Sequence, residues 1–93
     1  MVVDQYGKKK MKLVGVVLTY NCESFIERTI KNLPLDELDD VLFTDDGSTD
    51  KTIEIIKKNK LNYIQNSHLG YGGNLFNGLK KAFSDGATHV VEL

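Results

Sequence analysis

The chain has 93 residues and a formal net charge of −1, with 41% hydrophobic and 27% charged residues. This composition is typical of one small globular domain and excludes a disordered chain. The charge gives no reason to expect nucleic acid or an anionic membrane as the main partner, and no apolar stretch is long enough to span a bilayer. A single cysteine, Cys22, cannot form an intramolecular disulfide, which favours a cytoplasmic protein.

The first predicted strand follows an N-terminal segment without hydrophobic periodicity. We expect residues 1–10 to be a disordered or frayed tail. Residues 13–18 are apolar and rich in valine, a pattern typical of a strand that is covered on both faces of a parallel sheet.

A helix is predicted after this strand, because apolar residues recur there at helical spacing. The residues of its inward stripe are Phe25, Ile26, Ile30 and Leu33. Two N-caps fit the sequence: Ser24, which has capping-box spacing to Glu27, and Asn21. Pro34 ends the predicted helix.

The second strand and the second helix are joined by a short polar turn. Residues 41–43 are apolar and predict the strand, which ends at two acids and a glycine. Ser48 and Thr49 are the expected N-caps of the helix. The apolar residues of that helix are Ile53, Ile55 and Ile56.

The rest of the chain repeats this alternation. The third strand is predicted from Leu61, Tyr63 and Ile64. A glycine-rich segment, residues 70–74, is expected to precede the third helix. The inward residues of that helix are Leu75, Leu79 and Ala82. Residues 89–93 predict a fourth strand.

The predicted order is therefore β-α-β-α-β-α-β. Short apolar strands that alternate with amphipathic helices predict an α/β fold, a Rossmann-like open parallel sheet with helices on both faces. In such sheets ligands bind beyond the carboxyl ends of the strands, at the topological switch point. Three segments are therefore candidates for binding: those after the first and second strands, and the one before the third helix.

The segment after the first strand contains Thr19, Tyr20 and Asn21. The Tyr20 ring can stack on a nucleobase, and Thr19 or main-chain groups can hydrogen-bond the base edge. In the alternative interpretation Tyr20 covers the core and Asn21 caps a helix.

The segment after the second strand begins with two adjacent acids, Asp45 and Asp46. Because side chains alternate along a strand, we expect the two carboxylates to point in different directions. One can face the ligand crevice and accept an N–H from uracil or guanine, while the other serves the turn. A capped turn with solvated acids is the alternative, although such a turn does not require two acids before Gly47.

The third segment contains Gly70, Tyr71, Gly72 and Gly73. Glycines at a helix N-terminus let backbone N–H groups approach a phosphate. The segment is neither a Walker loop nor a dinucleotide fingerprint, because Leu75 stands where a small residue belongs in the latter. A flexible turn with a helix cap is the alternative.

Other chemistry is poorly represented in the sequence. Cys22, His68 and His89 lack the spacing of metal ligands. We expect His68 to be a loop residue and Cys22 to be a small buried residue. No metal ligand and no catalytic residue is assigned within the chain.

Together the three segments resemble the family 2 glycosyltransferases with the GT-A fold. The matching residues are 17–21, 43–50 and 66–79, and the resemblance covers nearly everything from Lys12 to Leu93. The Asp-Asp-Gly-Ser-Thr-Asp block at residues 45–50 is fairly specific at the end of a second strand. The Gly-Tyr-Gly-Gly-Asn segment at residues 70–74 is similar to that of the dolichol- and polyprenyl-phosphate sugar transferases.

The resemblance implies roles for the candidate residues. Tyr20 and its neighbours would hold the base, Asp46 would bond the base edge, and Asp45 would support the same pocket. The glycine-rich segment would lie near the nucleotide. The residues expected to bind nucleotide are Thr19, Tyr20, Asn21, Asp45, Asp46, Gly70, Tyr71, Gly72 and Gly73.

The resemblance also implies a cofactor and a reaction. Mg or Mn is implied for the full-length enzyme, held by a D-x-D motif that we expect beyond Leu93. Residues 11–93 would then be the N-terminal part of a GT-A domain that is truncated before this motif. The implied reaction transfers a sugar from a UDP- or GDP-sugar to an acceptor such as a polyprenyl phosphate, in the cytoplasm or at the inner face of the membrane. We expect the isolated chain to be inactive. The alternative is a non-catalytic nucleotide-binding α/β module.

Overall fold

The computed structural model describes residues 5–6 and 11–93. Most of the predicted tail lies outside the described residues, and residues 5–6 form a turn. In chain order the helices and strands are β1 (Leu13–Thr19), α1 (Ile26–Lys31), a 3-10 helix (Leu35–Glu37), β2 (Asp40–Asp45), α2 (Thr52–Lys58), β3 (Asn62–Gln65), α3 (Gly70–Ser84) and β4 (His89–Glu92). The predicted alternation of strands and helices is confirmed, and the 3-10 helix is an addition to it.

The four strands form one parallel sheet in the order β3-β2-β1-β4. The chain winds outward from β1 through β2 to β3, and then crosses back to place β4 on the other side of β1. This reversal creates a topological switch point beside β1, which is where open α/β sheets bind their ligands. The fold is therefore Rossmann-like, as the sequence predicts.

The strand register brings the ends of β1, β2 and β3 to the same level. Thr19 at the end of β1 is paired with Asp45 at the end of β2, and Asp45 is paired with Gln65 at the end of β3. Residues that follow these strands consequently meet at one edge of the sheet. The polar segments at this edge are therefore close in space although they are distant in sequence.

Two apolar clusters cover the two faces of the sheet, because side chains alternate along each strand. The buried residues of the first cluster, which includes α1 and α2, are Val17, Cys22, Ile26, Val41, Phe43 and Ile56. Those of the second cluster, which includes α3, are Val14, Val16, Leu42, Ala82 and Ala87. The prediction of helices on both faces is confirmed.

Helix α1 is shorter than predicted and is capped differently. Of the predicted stripe only Ile26 is fully buried, whereas Phe25 is 49% exposed and Leu33 lies beyond the end of the helix. The predicted capping box does not form, since no side chain caps this helix. The main-chain carbonyl of Cys22 accepts the N–H of Phe25 and the N–H of Ile26 instead, so a backbone turn begins the helix.

Helix α2 begins later than predicted, so Ser48 and Thr49 are not its caps. The first helical residue is Thr52, and the Asp50 carboxylate accepts both its N–H at 2.9 Å and its hydroxyl at 2.6 Å. The Ser48 hydroxyl does not cap the helix: it accepts the N–H of Asn21 at 2.8 Å and donates to Asp45. Asp50, predicted only as a favourable charge near the helix start, is the residue that fixes it.

Helix α3 begins at Gly70, so the glycine-rich segment forms its first turns rather than a loop before it. Of the predicted stripe Ala82 is buried, whereas Leu75 and Leu79 are half-buried. The other buried residues are Asn74 and Gly78, each one residue before a predicted leucine. A Cβ atom on Gly78 would lie 2.8 Å from Thr44 Cγ2 and 3.1 Å from Val16 Cγ1. Small residues therefore let the helix backbone lie close to β1 and β2.

Candidate functional site

A cleft of about 310 Å³ opens at the carboxyl ends of β1 and β2, beside the start of α3. The residues that line it are Leu18, Thr19, Tyr20, Asp46, His68, Gly70, Tyr71 and Asn74. The predicted convergence of Tyr20 and Asp46 on one crevice is therefore confirmed. A groove of about 420 Å³ beside β3 is larger, but its lining residues include two lysines and neither an aromatic ring nor a carboxylate.

Asp46 connects the three segments that form the cleft. Its Oδ1 accepts the N–H of Leu69 at 2.7 Å, and its Oδ2 accepts the N–H of Gly70 at 3.0 Å. Its own N–H donates to the carbonyl of Thr19 at 3.0 Å. The side chain is only 7% exposed and lies at the positive end of α3, where a negative charge is stabilised. The carboxylate is thus held in one orientation.

The aromatic wall of the cleft consists of Tyr20 and His68. Tyr20 is 48% exposed, so a large part of its ring is accessible to a ligand. The ring centroids of Tyr20 and His68 are 4.8 Å apart, with the rings tilted by 30°. His68 Nδ1 also lies 3.1 Å from Asp46 Oδ2. The prediction that His68 lies in a loop is confirmed, but that prediction missed its place in the cleft.

Asp45 points away from the cleft and serves the turn. Its Oδ1 accepts the hydroxyls of Thr19 and Ser48, both at 2.7 Å. Its Oδ2 accepts the N–H of Gly47 at 3.0 Å and the N–H of Ser48 at 2.7 Å. The two adjacent acids therefore diverge, as the strand geometry predicts. Asp45 is not among the residues that line the cleft, and it acts on the cleft only through Thr19 and the turn.

Gly47 is required at this turn for two reasons. Its φ of +86° lies in the left-handed region that favours glycine. A Cβ atom there would lie 3.0 Å from the carbonyl oxygen of Asn66 and 3.2 Å from the N–H nitrogen of His68. The turn after β2 and the loop after β3 therefore approach each other so closely that a side chain at Gly47 would force one of them to shift. This approach brings His68 next to Asp46.

Asn21 links the segment after β1 to the segment after β2. Its Oδ1 accepts the N–H of Thr49 at 2.7 Å, and its own N–H donates to the Ser48 hydroxyl at 2.8 Å. The prediction that Asn21 caps α1 is therefore wrong, because its side chain accepts a hydrogen bond from the segment after β2. Asn21 adopts a φ of 47°, a conformation that asparagine tolerates better than most residues. It is absent from the lining of the cleft.

The first turn of α3 contributes Gly70 and Tyr71 to the cleft, whereas Gly72 and Gly73 do not line it. The φ of Gly70 is +83°, so this position favours glycine. The Tyr71 hydroxyl donates to both carboxylate oxygens of Glu92, at 2.9 and 2.7 Å. This hydrogen bond raises the pKa of Tyr71. The contact fastens the start of α3 to the end of β4.

A buried polar network beneath the cleft was not predicted. Asn74 Nδ2 donates to the carbonyl of Thr44 at 2.9 Å, and Asn74 Oδ1 accepts the Thr44 hydroxyl at 2.9 Å. Asn66 Nδ2 donates to the same Asn74 oxygen at 2.8 Å, and Asn77 Nδ2 donates to Asn66 at 3.0 Å. The only sequence signal was three asparagines in one short segment, which is too common to assign a contact. The network holds α3 against β2.

The remaining candidate groups do not form a reactive or metal-binding site. Burial raises the pKa of the Cys22 thiol, an effect that a hydrogen bond from Thr52 partly opposes. Cys22 is buried, as predicted. The described residues contain no cluster of three histidine, cysteine or acidic side chains that could hold a metal ion. Within the same part of the chain, no helix has the length and apolarity needed to cross a membrane.

The fold and the cleft define a Rossmann-like α/β unit whose candidate ligand site lies at the switch point of the sheet. The family model described as Glycosyl transferase family 2 matches residues 16–91. Because this match spans most of the chain, the chain belongs to glycosyl transferase family 2.

Two curated relatives match parts of the chain, and one of them is named a glycosyltransferase. An uncharacterized glycosyltransferase of Mycoplasma genitalium is 52% identical over 52 residues, which cover 52% of this chain and 18% of that protein. An uncharacterized protein of Methanocaldococcus jannaschii is 40% identical over 76 residues, which cover 78% of this chain and 30% of that protein. The chain thus spans less than a third of either relative. No solved structure matches the chain at a significant level.

Proposed function

We propose that this chain supplies the donor-nucleotide site of a glycosyltransferase that uses a UDP- or GDP-sugar. The observation that carries the proposal is the convergence of the Tyr20 ring and the Asp46 carboxylate on one cleft at the carboxyl ends of β1 and β2. Aromatic rings and a few convergent polar groups in a cleft are typical of small-molecule sites. Family membership supports the same class of donor.

In this proposal the base stacks on Tyr20 and donates an N–H to Asp46. A carboxylate offers about four acceptor positions. The N–H groups of Leu69 and Gly70 and the His68 ring occupy three of them, so one position is left for a ligand. Uracil N3–H and guanine N1–H are suitable donors, whereas the corresponding ring nitrogen of cytosine is an acceptor. We therefore propose that the cleft discriminates against cytosine.

The cofactor, the acceptor and the location of the whole protein are also proposals. The implied Mg or Mn finds no ligand set among the described residues, so we derive no step through a metal. The acceptor that we propose to test first is a polyprenyl phosphate, at the cytoplasmic face of a membrane. The 93-residue chain itself is proposed to bind the donor without catalysing transfer.

The test is a calorimetric titration of the chain with UDP, GDP and CDP. UDP or GDP should bind, and CDP should bind more weakly, because the ring nitrogen of cytosine is an acceptor that repels the carboxylate and its donor, the N4 amino group, is displaced from that position. Tyr20→Ala should lose about 1–3 kcal/mol of binding free energy, the usual contribution of one base–aromatic stack. Asp46→Asn should also lose affinity, because one acceptor oxygen is replaced by a donor.

Phe83→Ala is the matched control, because it removes an exposed aromatic ring from the far end of α3. This variant should bind as the unmodified chain does. The proposal fails if neither UDP nor GDP binds, or if Tyr20→Ala binds as tightly as Phe83→Ala.

A further inference from the structure

His68 lies between the two groups that recognise the base in the proposed function. Its Nδ1 atom is 3.1 Å from Asp46 Oδ2 and 3.4 Å from the main-chain oxygen of Asp46. Its ring faces the Tyr20 ring at a centroid distance of 4.8 Å. The side chain is 66% exposed, so the ring remains open to ligand and solvent. His68 thus contacts both recognition groups at once and is itself part of the cleft wall.

The contacts of Nδ1 decide which nitrogen of the neutral ring carries the proton. Both neighbours of Nδ1 are oxygen acceptors, so an unprotonated Nδ1 would place its lone pair against them. We therefore assign the proton to Nδ1 in the neutral ring, which leaves Nε2 as an acceptor. When the ring is protonated, Nε2 becomes a donor as well and the ring carries a positive charge.

We propose that His68 is a positioning residue of the nucleotide cleft, which holds Tyr20 and Asp46 in place and makes anionic nucleotides bind more tightly as the pH falls. The inference rests on the proposed nucleotide site. The neutral ring supplies the stack on Tyr20 and the donor to Asp46. The protonated ring adds a positive charge beside a ligand that carries negative phosphates.

The other charged or titratable groups around His68 do not produce this pH dependence. Asp46 faces the ring from the end of β2, and Tyr20 faces it from the segment after β1. Tyr71 of α3 also lines the cleft, and its partner is Glu92 of β4. Among these described groups, His68 carries the one imidazole, the side-chain group suited to gain or lose a charge near neutral pH.

The test measures the affinity of the chain for UDP-glucose and GDP-mannose at about pH 5.5 and about pH 8.0, a range chosen to span histidine titration. These probes are suitable because their diphosphate groups are diesters and do not titrate in this range. Whichever probe binds should bind about threefold to fivefold more tightly at the lower pH, the size expected of an exposed ion pair.

Two substitutions separate the roles of the ring. His68→Asn keeps a donor near the position of Nδ1 but cannot be protonated, so it should abolish the pH dependence while retaining much of the affinity at high pH. His68→Phe keeps a ring beside Tyr20 but removes the donor to Asp46, so it should lower affinity at both pH values. His89→Asn is the matched control because His89 is the other histidine, lies on β4 outside the cleft lining, and should leave the pH dependence intact.

The outcomes distinguish this inference from the proposed function. A pH dependence that is present in the unmodified chain and in His89→Asn, but absent in His68→Asn, supports the inference. A pH dependence that persists in His68→Asn, or binding by the unmodified chain that does not change with pH, overturns the inference and leaves the proposed function intact. Failure of the unmodified chain to bind either probe at both pH values overturns the proposed function and, with it, the inference.

Discussion

Replacing Asp45 tests the conclusion that this acid supports the fold rather than the ligand. Its side chain is fully buried, with 0% exposure, and accepts four hydrogen bonds from Thr19, Gly47 and Ser48. Two of these donors are hydroxyls, which can reverse their role, and two are backbone N–H groups, which cannot. The consequence of a substitution therefore depends on whether an acceptor still faces those two N–H groups.

Asp45→Asn can keep its amide oxygen on the N–H groups and turn its NH₂ group toward the hydroxyls. It loses the charge-assisted part of each bond, and we expect a loss of about 2 kcal/mol in the free energy of unfolding. Asp45→Ala leaves both N–H groups without an acceptor, at about 1–3 kcal/mol each, and we expect a loss of about 4 kcal/mol.

The assay is urea denaturation followed by circular dichroism. Asp36→Asn, at an exposed position of the 3-10 helix, is the matched control and should stay within about 0.5 kcal/mol of the unmodified chain. The reasoning is refuted if Asp45→Asn is as stable as the control, or if Asp45→Ala is no less stable than Asp45→Asn.

Three further predictions concern packing, titration and reactivity. Gly78→Ala should lower the free energy of unfolding by about 1–3 kcal/mol, because the new Cβ would clash with Thr44 and Val16. Gly72→Ala, at a position where the space is open, should be neutral or slightly stabilising. Urea denaturation of the two variants compares these effects. The Glu92 hydrogen bond raises the pKa of Tyr71, so this contact is complete below the ordinary tyrosine pKa and is lost as the pH rises through the raised value. An ultraviolet titration should show Tyr71 ionising at lower pH in Glu92→Gln, and no change in that variant would contradict the assignment. Because Cys22 is buried and burial raises the pKa of its thiol, a thiol reagent should label it only as the chain unfolds, and rapid labelling of the folded chain would contradict this.

The fold was predictable because its signals are local and repeated. Each strand is a short apolar run between polar turns, and the alternation with helical spacing leaves few arrangements other than a parallel sheet. The divergence of Asp45 and Asp46 followed from strand geometry alone. The convergence of Tyr20 with Asp46 followed from the rule that parallel strands end at the same edge.

The caps and the loop contacts were not predictable in the same way, because they depend on partners far along the chain. Asn21 and Ser48 are residue types that often cap helices. Here they instead hydrogen-bond across the two segments: Asn21 donates its N–H to the Ser48 hydroxyl, and the Asn21 side chain accepts the N–H of Thr49. His68 gave no local signal, since its neighbours Tyr20 and Asp46 come from two other segments. The start of α3 was misplaced because glycines suggest a loop, whereas here Asp46 accepts the N–H of Gly70 and fixes the beginning of the helix.

The hydrogen bonds of Asp46 also govern when the cleft comes into existence during folding. They join the tip of β1, the tip of β2 and the start of α3, segments that are separated by more than twenty residues of chain. An intermediate in which only the first two strands have associated therefore has half of a cleft and no place for a nucleotide. Ligand binding should accordingly slow the hydrogen exchange of those amides that exchange only when α3 is released, because every such opening also destroys the site.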